Sequence, residues 1–218
     1  MPFNRIVTFG CSHTYGHGLA DCYLLPSCQP GPTPSKFAWP ELLSQAFNIE
    51  VVNMGKAAAS NIEILSRILA FDFVETDLVV IQWTYTPRDL IFNVNNNYQI
   101  GPAFPEDKKN PDLIKSYYMV HNKYDSIIRS LLHIHHADMF LKYKKVQSLN
   151  YIHEIEMANI NIWKNSSRFN WFDIPIQPFL LTSLEIDKAV DGYHAGPKTQ
   201  IEVSKTIISL IKEKYEKH

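Results

Sequence analysis

Apolar residues follow two patterns along this chain, and the two patterns alternate. Short runs of strand length occur at Arg5–Phe9, Glu50–Asn53 and Leu78–Trp83. The last run is almost continuously apolar, which is typical of a strand buried on both faces of a parallel sheet. Between the runs, apolar residues recur every three or four positions, as on one face of a helix. Alternating strands and helices predict an α/β protein, in which helices cover both faces of a parallel sheet.

Helices are predicted from this spacing and from signals at their ends. Pro40 suits the first turn of a helix that continues through Phe47. Ser60 and Glu63 have the capping-box spacing that marks the start of a second helix. A last helix is expected from about Pro197. The apolar face of this last helix is Ile201, Ile208 and Ile211. Two further helices are predicted in the middle of the chain. The apolar stripe of the first is Val120, Tyr124, Ile127, Ile128 and Leu131, and that of the second is Val146, Leu149, Ile152 and Ile155.

The remaining stretches carry loop signals. Residues 17–39 are rich in proline, and we expect a loop that either shapes a substrate pocket or is a variable surface segment. Residues 89–111 are polar and rich in asparagine and proline, and are also expected to be loop. A fourth strand is expected at Asn159–Trp163. The irregular residues 165–181 leave room for a short fifth strand.

Composition supports a folded chain and argues against several partners. Of the 218 residues, 45% are hydrophobic and 20% are charged, which is enough apolar material for a packed core. With no repeat and no linker, we expect a single domain over residues 1–218, with a loop-rich insertion around residues 17–39 and a helical and irregular region around residues 90–180. The 21 basic and 22 acidic residues nearly cancel, and no basic run is present. Nucleic acid and anionic membranes are therefore poor candidates as partners.

Other global signals concern the cellular compartment. The chain has no apolar stretch of membrane-spanning length and no secretory leader pattern at its start, so we expect a soluble, cytoplasmic protein. Its three cysteines are Cys11, Cys22 and Cys28. An odd number in a chain of this length does not indicate a disulfide framework, although a Cys22–Cys28 pair is conceivable.

Candidate catalytic residues lie near the two ends of the chain. The first predicted strand is followed by Gly10-Cys11-Ser12, and a serine in such a turn places its hydroxyl at the mouth of a sheet. Asp191 and His194 lie three residues apart, ahead of the last predicted helix. That spacing lets the carboxylate accept from the imidazole Nδ1 while Nε2 faces the serine, which needs a base to act as a nucleophile. The alternative is an ordinary surface turn with a capping aspartate.

The order of these blocks resembles the SGNH/GDSL hydrolase family. Gly10-Cys11-Ser12 is similar to its Gly-Asp-Ser block, with Cys11 in place of Asp, and Asp191-x-x-His194 is similar to its last block. The resemblance implies a flavodoxin-like three-layer α/β/α sandwich with a parallel sheet of about five strands. It also implies that Ser12 is the nucleophile, His194 the base and Asp191 the residue that orients the base. In that geometry Cys11 points away from the site and fills a small buried position.

The same resemblance implies an oxyanion hole built from two further blocks. Residues 53–61 are similar to the second block, which supplies a backbone N–H from a glycine; that position falls near Ala58, with Gly55 close by. The third block should carry an asparagine after the third strand, and the sequence has none there. The loss of one such donor can cost a factor on the order of a hundred in rate. The side chains that could donate instead are Gln82, Thr84 and Thr86.

Two polar residues near these blocks have open roles. Arg88 either binds an anionic or carbohydrate part of a substrate or pairs with a neighbouring carboxylate such as Asp89. Asn61 either helps to order the second-block turn or is an ordinary first residue of the helix that follows.

Histidines cluster in two places. His13 and His17 flank the serine turn, and His133, His135 and His136 lie on a predicted helix. His133 and His136 share a helix face and could supply two ligands to a metal ion. No carboxylate or cysteine stands at ligand spacing beside them, so structural histidines are the preferred interpretation.

These observations predict an ester hydrolase, an esterase or deacylase, that needs no metal or organic cofactor. Its expected partner is a small-molecule or carbohydrate ester, and acyl groups on carbohydrate are a substrate class that the family resemblance implies. Two alternatives stay open. The missing asparagine favours a catalytically weak or inactive relative that binds a glycan or a protein partner. A metal-dependent hydrolase that uses the second histidine cluster is the minor alternative.

Overall fold

The computed structural model describes residues 2–91, 98–100, 111–152, 176–178 and 184–215. The strands within these residues are β1 (Arg5–Phe9), β2 (Tyr23–Leu24), β3 (Gln29–Pro30), β4 (Glu50–Asn53), β5 (Asp77–Trp83), β6 (Asp89–Ile91), β7 (Tyr98–Ile100), β8 (Gln147–Ile152) and β9 (Ile176–Pro178). The helices are α1 (Ser12–Tyr15), α2 (Trp39–Phe47), α3 (Asn61–Leu69), α4 (Pro111–Val120), α5 (Lys123–Tyr143) and α6 (Pro197–Tyr215).

The central sheet has five parallel strands in the spatial order β4-β1-β5-β8-β9. Counted along the chain this order is 2-1-3-4-5, which is the order of flavodoxin-like folds. In this register Thr8 of β1 lies between Asn53 and Val80 of its two neighbours. The strand order reverses between β1 and β5, and open α/β sheets bind ligands at the carboxyl ends of the strands at such a point. The residues that directly follow β1 and β5 therefore occupy the expected position of a site.

Helices cover both faces of the sheet. On one face α3 and α5 bury Ile64 and Ile134 against the strands. On the other face α2 and α6 bury Leu43 and Ile207. The predicted α/β/α sandwich with a parallel sheet of about five strands is thus confirmed.

The predicted helix over residues 146–155 is wrong, because residues 147–152 form β8, which lies between β5 and β9 in the sheet. Lys145 takes the left-handed conformation, with φ 56°, directly after α5 ends. The strand then buries Tyr151 on one face of the sheet and Ile152 on the other. When both faces of a strand are apolar, the two-residue alternation disappears and helical spacing can arise by coincidence. Ile155 and the predicted strand Asn159–Trp163 lie outside the described residues, and the short strand foreseen within residues 165–181 is β9.

Three smaller expectations also need correction. The loop predicted over residues 89–111 contains the antiparallel pair β6 and β7. The apolar stripe from Val120 is interrupted, since α4 ends at Val120, and Asn122 caps α5 by accepting from the Asp125 N–H at 3.0 Å. Ile201 is 42% exposed because α6 turns other residues toward the sheet, including Ile211.

Two further observations concern the cysteines and the expected lack of a membrane-spanning helix. Cys22 is buried, Cys28 is exposed, and neither forms a disulfide. Among the described residues, no helix combines the length and apolar character that a membrane crossing requires.

Candidate active site

The turn that carries Ser12 is held at the carboxyl end of β1. Gly10 has no room for a side chain, because a Cβ there would lie 2.0 Å from Thr14 Oγ1. The same Oγ1 donates to Gln82 Oε1 at 2.7 Å, which ties the turn to β5. Gly16 closes the single helical turn of α1 in the left-handed conformation, with φ 83°. Ser12 is therefore the first residue of a fixed turn at the point where the strand order reverses.

Cys11 and Ser12 point to different environments although they are neighbours. Cys11 is completely buried in the apolar core beneath the turn, together with Phe9 and Ala59. Ser12 retains 3% exposure, and its backbone N–H lies at the start of α1, where no earlier carbonyl of the helix is available to it. The Ser12 N–H is thus available to an oxyanion on a bound substrate.

Asp191 and His194 are joined as their spacing predicts. Asp191 Oδ2 lies 2.5 Å from His194 Nδ1, and Asp191 Oδ1 accepts the backbone N–H groups of Tyr193 at 2.9 Å and His194 at 3.0 Å. Burial acts to raise the pKa of the Asp191 carboxyl, but these hydrogen bonds outweigh it and hold the pKa below its ordinary value. The carboxylate is therefore ionised at neutral pH and keeps the ring proton on Nδ1, which leaves Nε2 as an acceptor.

The His194 ring lies against the two histidines that flank the serine turn. Its centroid is 5.2 Å from that of His13 and 4.7 Å from that of His17. Burial is the main cause that lowers the pKa of His17, and a positive charge on His194 would lower it further. This packing brings the imidazole of His194 to the segment that carries Ser12. Within the described residues no hydrogen bond joins Ser12 Oγ to His194 Nε2, and such bonds are often long in unliganded sites.

The proline-rich segment 17–39 supports the Asp191 turn. The N–H of Val190 donates to the Gly18 carbonyl at 2.9 Å. Gly18 has φ 89°, and a Cβ on it would lie 2.6 Å from Asp191 Oδ2. The 17–39 segment thus contacts the turn that carries Asp191, and whether it shapes a substrate pocket stays a prediction.

Of the two backbone donors expected in the second block, Ala58 is the available one. The N–H of Gly55 donates to Asn53 Oδ1 at 2.9 Å, and the Asn53 amide in turn donates to the Thr14 carbonyl at 2.7 Å. Ala58 has φ 63°, and its N–H has no hydrogen-bond partner among the described residues. A left-handed conformation is one that glycine adopts most readily, which explains why a glycine is expected at such a position.

Asn61 connects the second block to the third. Its Oδ1 accepts the Thr84 N–H at 2.8 Å, and its Nδ2 donates to the Thr84 carbonyl at 3.2 Å and to Ser130 Oγ at 3.0 Å. Asn61 is thus both the first residue of α3 and a buried clamp on the segment after β5. The clamp on Thr84 was not foreseen, because nothing in the local sequence indicates a contact across 23 positions.

Three side chains were considered as donors in place of the missing asparagine. Gln82 Oε1 accepts from Thr14, and the Gln82 Nε2 amide is buried with no hydrogen-bond partner among the described residues, so it can still donate. Thr84 Oγ1 accepts from Arg88 Nη1 at 3.1 Å, which leaves its own hydroxyl proton free to donate. Thr86 is buried, with 5% exposure, and lines a polar cavity beside this segment. All three side chains therefore remain candidates.

Two further expectations concern Arg88 with Asp89 and the second histidine cluster. Asp89 bonds Arg129 at 2.9 Å and Tyr117 Oη at 2.7 Å, whereas Arg88 lies over the Tyr85 ring at 4.9 Å. In the described ranges, no three histidine, cysteine or acidic side chains come together in a way that could hold a metal ion.

The contacts of Asp89 and the environment of His133 could not be foreseen from the sequence. Asp89 contacts residues 28 and 40 positions away, beyond the reach of any local motif. Of the histidines of the second cluster, His133 lines the same polar cavity as Thr86, and burial lowers its pKa to about 4.

The sequence and the fold were compared with those of known proteins. No protein-family model and no curated protein matches the sequence. Solved structures do match. A lipolytic protein of the G-D-S-L family from Desulfitobacterium hafniense is 15% identical, with a TM-score of 0.52 over 95% of this chain and 99% of that one. The psychrotrophic esterase EstA from a Pseudoalteromonas species is 12% identical, with a TM-score of 0.55 over 96% and 97% of the two chains.

The third comparison is with the acetyl xylan esterase Est2A from the rumen bacterium Butyrivibrio proteoclasticus. It is 11% identical, with a TM-score of 0.61, and the match spans 97% of this chain but 64% of that one. The fold is that of the SGNH hydrolases. In this chain, the SGNH fold places Ser12, Ala58 and Thr84 after three adjacent strands, β1, β4 and β5.

Proposed function

We propose that this protein is a serine ester hydrolase of the SGNH type, an esterase or deacylase. The observation that carries the proposal is the 2.5 Å contact between Asp191 Oδ2 and His194 Nδ1, with the His194 ring packed against His13, the neighbour of Ser12. An oriented imidazole beside a serine at the mouth of a parallel sheet is the arrangement that nucleophilic catalysis requires. The fold shared with lipolytic proteins and esterases supports the same conclusion.

The reaction follows from the positions of these groups. Ser12 Oγ attacks the ester carbonyl while His194 Nε2 takes the hydroxyl proton, and Asp191 stabilises the imidazolium that results. The tetrahedral intermediate collapses as the bond to the alcohol breaks, and His194 returns the proton to the leaving oxygen. A water molecule, deprotonated by His194, then attacks the acyl-enzyme and releases the acid.

The oxyanion of the intermediate needs preorganised donors. The N–H groups of Ser12 and Ala58 are available for this role, and both belong to rigid turns. The Thr84 or Thr86 hydroxyl, or the Gln82 amide, would take the place of the asparagine amide. In other hydrolases, removal of one such donor lowers kcat by about 10²–10³-fold. We therefore expect measurable but moderate rates.

O-acyl groups on carbohydrate are the proposed substrate class. Tyr193 lies between Asp191 and His194 and is 84% exposed, so its ring offers a flat apolar surface directly beside the base. The apolar face of a sugar can pack on such a ring. Two of the solved structures with this fold are named as an acetyl xylan esterase and a carbohydrate esterase.

Labelling with a fluorophosphonate tests the proposal. Wild type should be labelled and should hydrolyse p-nitrophenyl acetate, whereas Ser12→Ala and His194→Ala should do neither. Ser27→Ala is the matched control, because Ser27 is exposed on the 17–39 segment. Circular dichroism and thermal melting establish that each variant is folded. A folded wild type that is not labelled, or labelling that survives in Ser12→Ala, would contradict the assignment.

A second candidate function is a glycan-binding module without turnover. It is favoured by the absence of an asparagine donor after β5, and by the fact that within the described residues Ser12 Oγ and His194 Nε2 are not hydrogen bonded. A carbohydrate esterase with the same fold has an active site with divergent catalytic and non-catalytic binding functions. A glycan array probed with wild type that has not reacted with fluorophosphonate would detect such binding. Ester turnover that depends on His194 would exclude a module without turnover.

A further inference from the structure

Thr14 lies two residues after Ser12, on the single helical turn of α1, and is completely buried. Its Oγ1 donates to Gln82 Oε1 at 2.7 Å, and its carbonyl accepts from Asn53 Nδ2 at 2.7 Å. Gln82 is 68 positions from Thr14 along the chain, and Asn53 is 39 positions away. Since α1 directly follows β1, this one residue joins the carboxyl ends of β1, β4 and β5.

The bond to Asn53 extends into the second block. Asn53 is the last residue of β4, and its Oδ1 accepts the N–H of Gly55 at 2.9 Å. A Cβ on Gly55 would lie 3.0 Å from the carbonyl carbon of Thr14, so the two backbones are in close contact. The proposed donor N–H of Ala58 lies three residues further along the same loop. The carbonyl of Thr14 therefore anchors the loop that carries this donor.

The bond to Gln82 extends into the third block. Gln82 is 1% exposed and lies in β5, two residues before Thr84. Its Nε2 has no hydrogen-bond partner within the described residues, where the Thr14 hydroxyl is the one group that fixes the amide. Gln82 and Thr84 are both candidates for the side-chain donor of the oxyanion hole. The hydroxyl of Thr14 therefore links the serine turn to the segment that supplies this donor.

We propose that Thr14 is a positioning residue for the oxyanion hole, because it holds the first, second and third donor segments at fixed separations. Donors stabilise an oxyanion when they converge on one point and are fixed before the reaction begins. Thr14 acts through Ser12, Ala58 and the donor after β5, and it needs no contact with the substrate. This inference deepens the proposed function and rests on it for the oxyanion. The joining of the three segments does not depend on turnover.

Three variants isolate the two bonds of Thr14. Thr14→Val removes the hydroxyl and keeps the shape of the side chain, whereas Thr14→Ser keeps the hydroxyl. Asn53→Asp still accepts the Gly55 N–H but no longer donates to the Thr14 carbonyl. Thr8→Val is the matched control, because Thr8 is also completely buried and its Oγ1 has no hydrogen-bond partner in the described part of the chain.

Hydrolysis of p-nitrophenyl acetate is measured at a temperature where thermal melting shows each variant to be folded. Thr14→Val should lower kcat and kcat/KM equally, by at least about tenfold, because the donors are misplaced for the transition state and not for the bound ester. Asn53→Asp should do the same. Thr14→Ser should restore most of the loss, and Thr8→Val should match wild type. A purely structural role would lower the melting temperature of Thr14→Val and leave kcat unchanged.

Amide proton and nitrogen chemical shifts give a second readout that needs no turnover. The Thr84 amide should shift in Thr14→Val, and the Ala58 amide in Asn53→Asp, whereas both should keep their wild-type positions in Thr14→Ser and Thr8→Val. Wild-type kcat in folded Thr14→Val, or a loss that Thr14→Ser does not restore, would overturn the proposal. A wild type without ester turnover would contradict the esterase, and unchanged Ala58 and Thr84 amides in Thr14→Val and Asn53→Asp would then overturn the positioning role separately.

Discussion

Gly18 and Asp191 are packed so closely that only a glycine fits at position 18. A Cβ on Gly18 would lie 2.6 Å from Asp191 Oδ2, the oxygen that contacts His194 Nδ1, and Gly18 has φ 89°. The carbonyl of Gly18 also accepts the N–H of Val190. The backbone of the 17–39 segment therefore packs directly against the Asp191 carboxylate, which contacts His194, the proposed base.

Replacing Gly18 with alanine should lower activity as well as stability. The new methyl group must push the Asp191 carboxylate away, and the loss of orientation at His194 should reduce kcat by about tenfold to a hundredfold. The left-handed conformation adds a cost of about 1–2 kcal/mol to the free energy of folding. Ester hydrolysis and urea-induced unfolding measure the two effects separately.

Gly192→Ala provides the matched control for that variant. Gly192 has φ 74°, but a Cβ there would have no atom within 4 Å. The two alanine variants therefore have similar backbone strain, but only the one at position 18 places its methyl group against Asp191. Gly192→Ala should lose comparable stability and keep most of its activity; an equal loss of activity in both variants would show that strain alone accounts for the effect.

Asp191→Asn should leave the fold intact and reduce kcat by about 10³–10⁴-fold. The amide can donate to Nδ1 and thereby favour the wrong tautomer of His194, with the proton on Nε2. Steady-state hydrolysis at pH 7 measures the loss. A variant with nearly normal kcat would remove Asp191 from the mechanism.

The same variant should change how stability depends on pH. The pKa of Asp191 is lowered from its ordinary value of 3.8. The ionised carboxylate therefore stabilises the folded state above about pH 4, and this stabilisation is lost as the pH falls through the folded-state pKa. Below that pH, wild type should approach Asp191→Asn in its free energy of unfolding. A difference between them that stays constant from pH 7 to pH 2 would argue against the lowered pKa.

Ala58→Gly should stabilise the protein while preserving activity. At φ 63° an alanine is strained by about 1–2 kcal/mol, whereas glycine adopts this conformation freely. Part of the gain is offset by the greater chain entropy of glycine in the unfolded state, so a net increase of about 0.5–1 kcal/mol is expected. The backbone N–H proposed as an oxyanion donor is kept. Ala57 has no positive φ, so Ala57→Gly should destabilise, and chemical denaturation of both variants makes the comparison.

Features set by neighbouring residues could be predicted from the sequence, whereas contacts between residues far apart in the chain could not. β1 and β4 were predicted with the bounds that the structure has, because each is a short run with a turn behind it. Asp191 and His194 could be paired because they share one turn. The contact of Asp89 with Arg129 joins residues 40 positions apart, and it depends on how α5 packs beside the sheet. β8 was mistaken for a helix because burial on both faces removes the alternation that marks a strand.

Asn61→Ala should weaken both the fold and the oxyanion hole. Asn61 is 1% exposed, and its removal leaves the Thr84 N–H and carbonyl without their partners. Each unsatisfied buried group costs about 1–3 kcal/mol, so a loss of about 2–4 kcal/mol is expected in urea-induced unfolding. Activity should also fall, because Thr84 is then free to shift.

Asn61→Asp separates these two effects. Its carboxylate still accepts the Thr84 N–H but cannot donate to the Thr84 carbonyl or to Ser130 Oγ. If the N–H contact alone positions Thr84, Asn61→Asp should be destabilised but should retain a larger share of kcat than Asn61→Ala. If Thr84 contributes nothing to the oxyanion hole, both variants should show unchanged kcat at a temperature where they are fully folded, and Thr86 and Gln82 would remain as side-chain candidates.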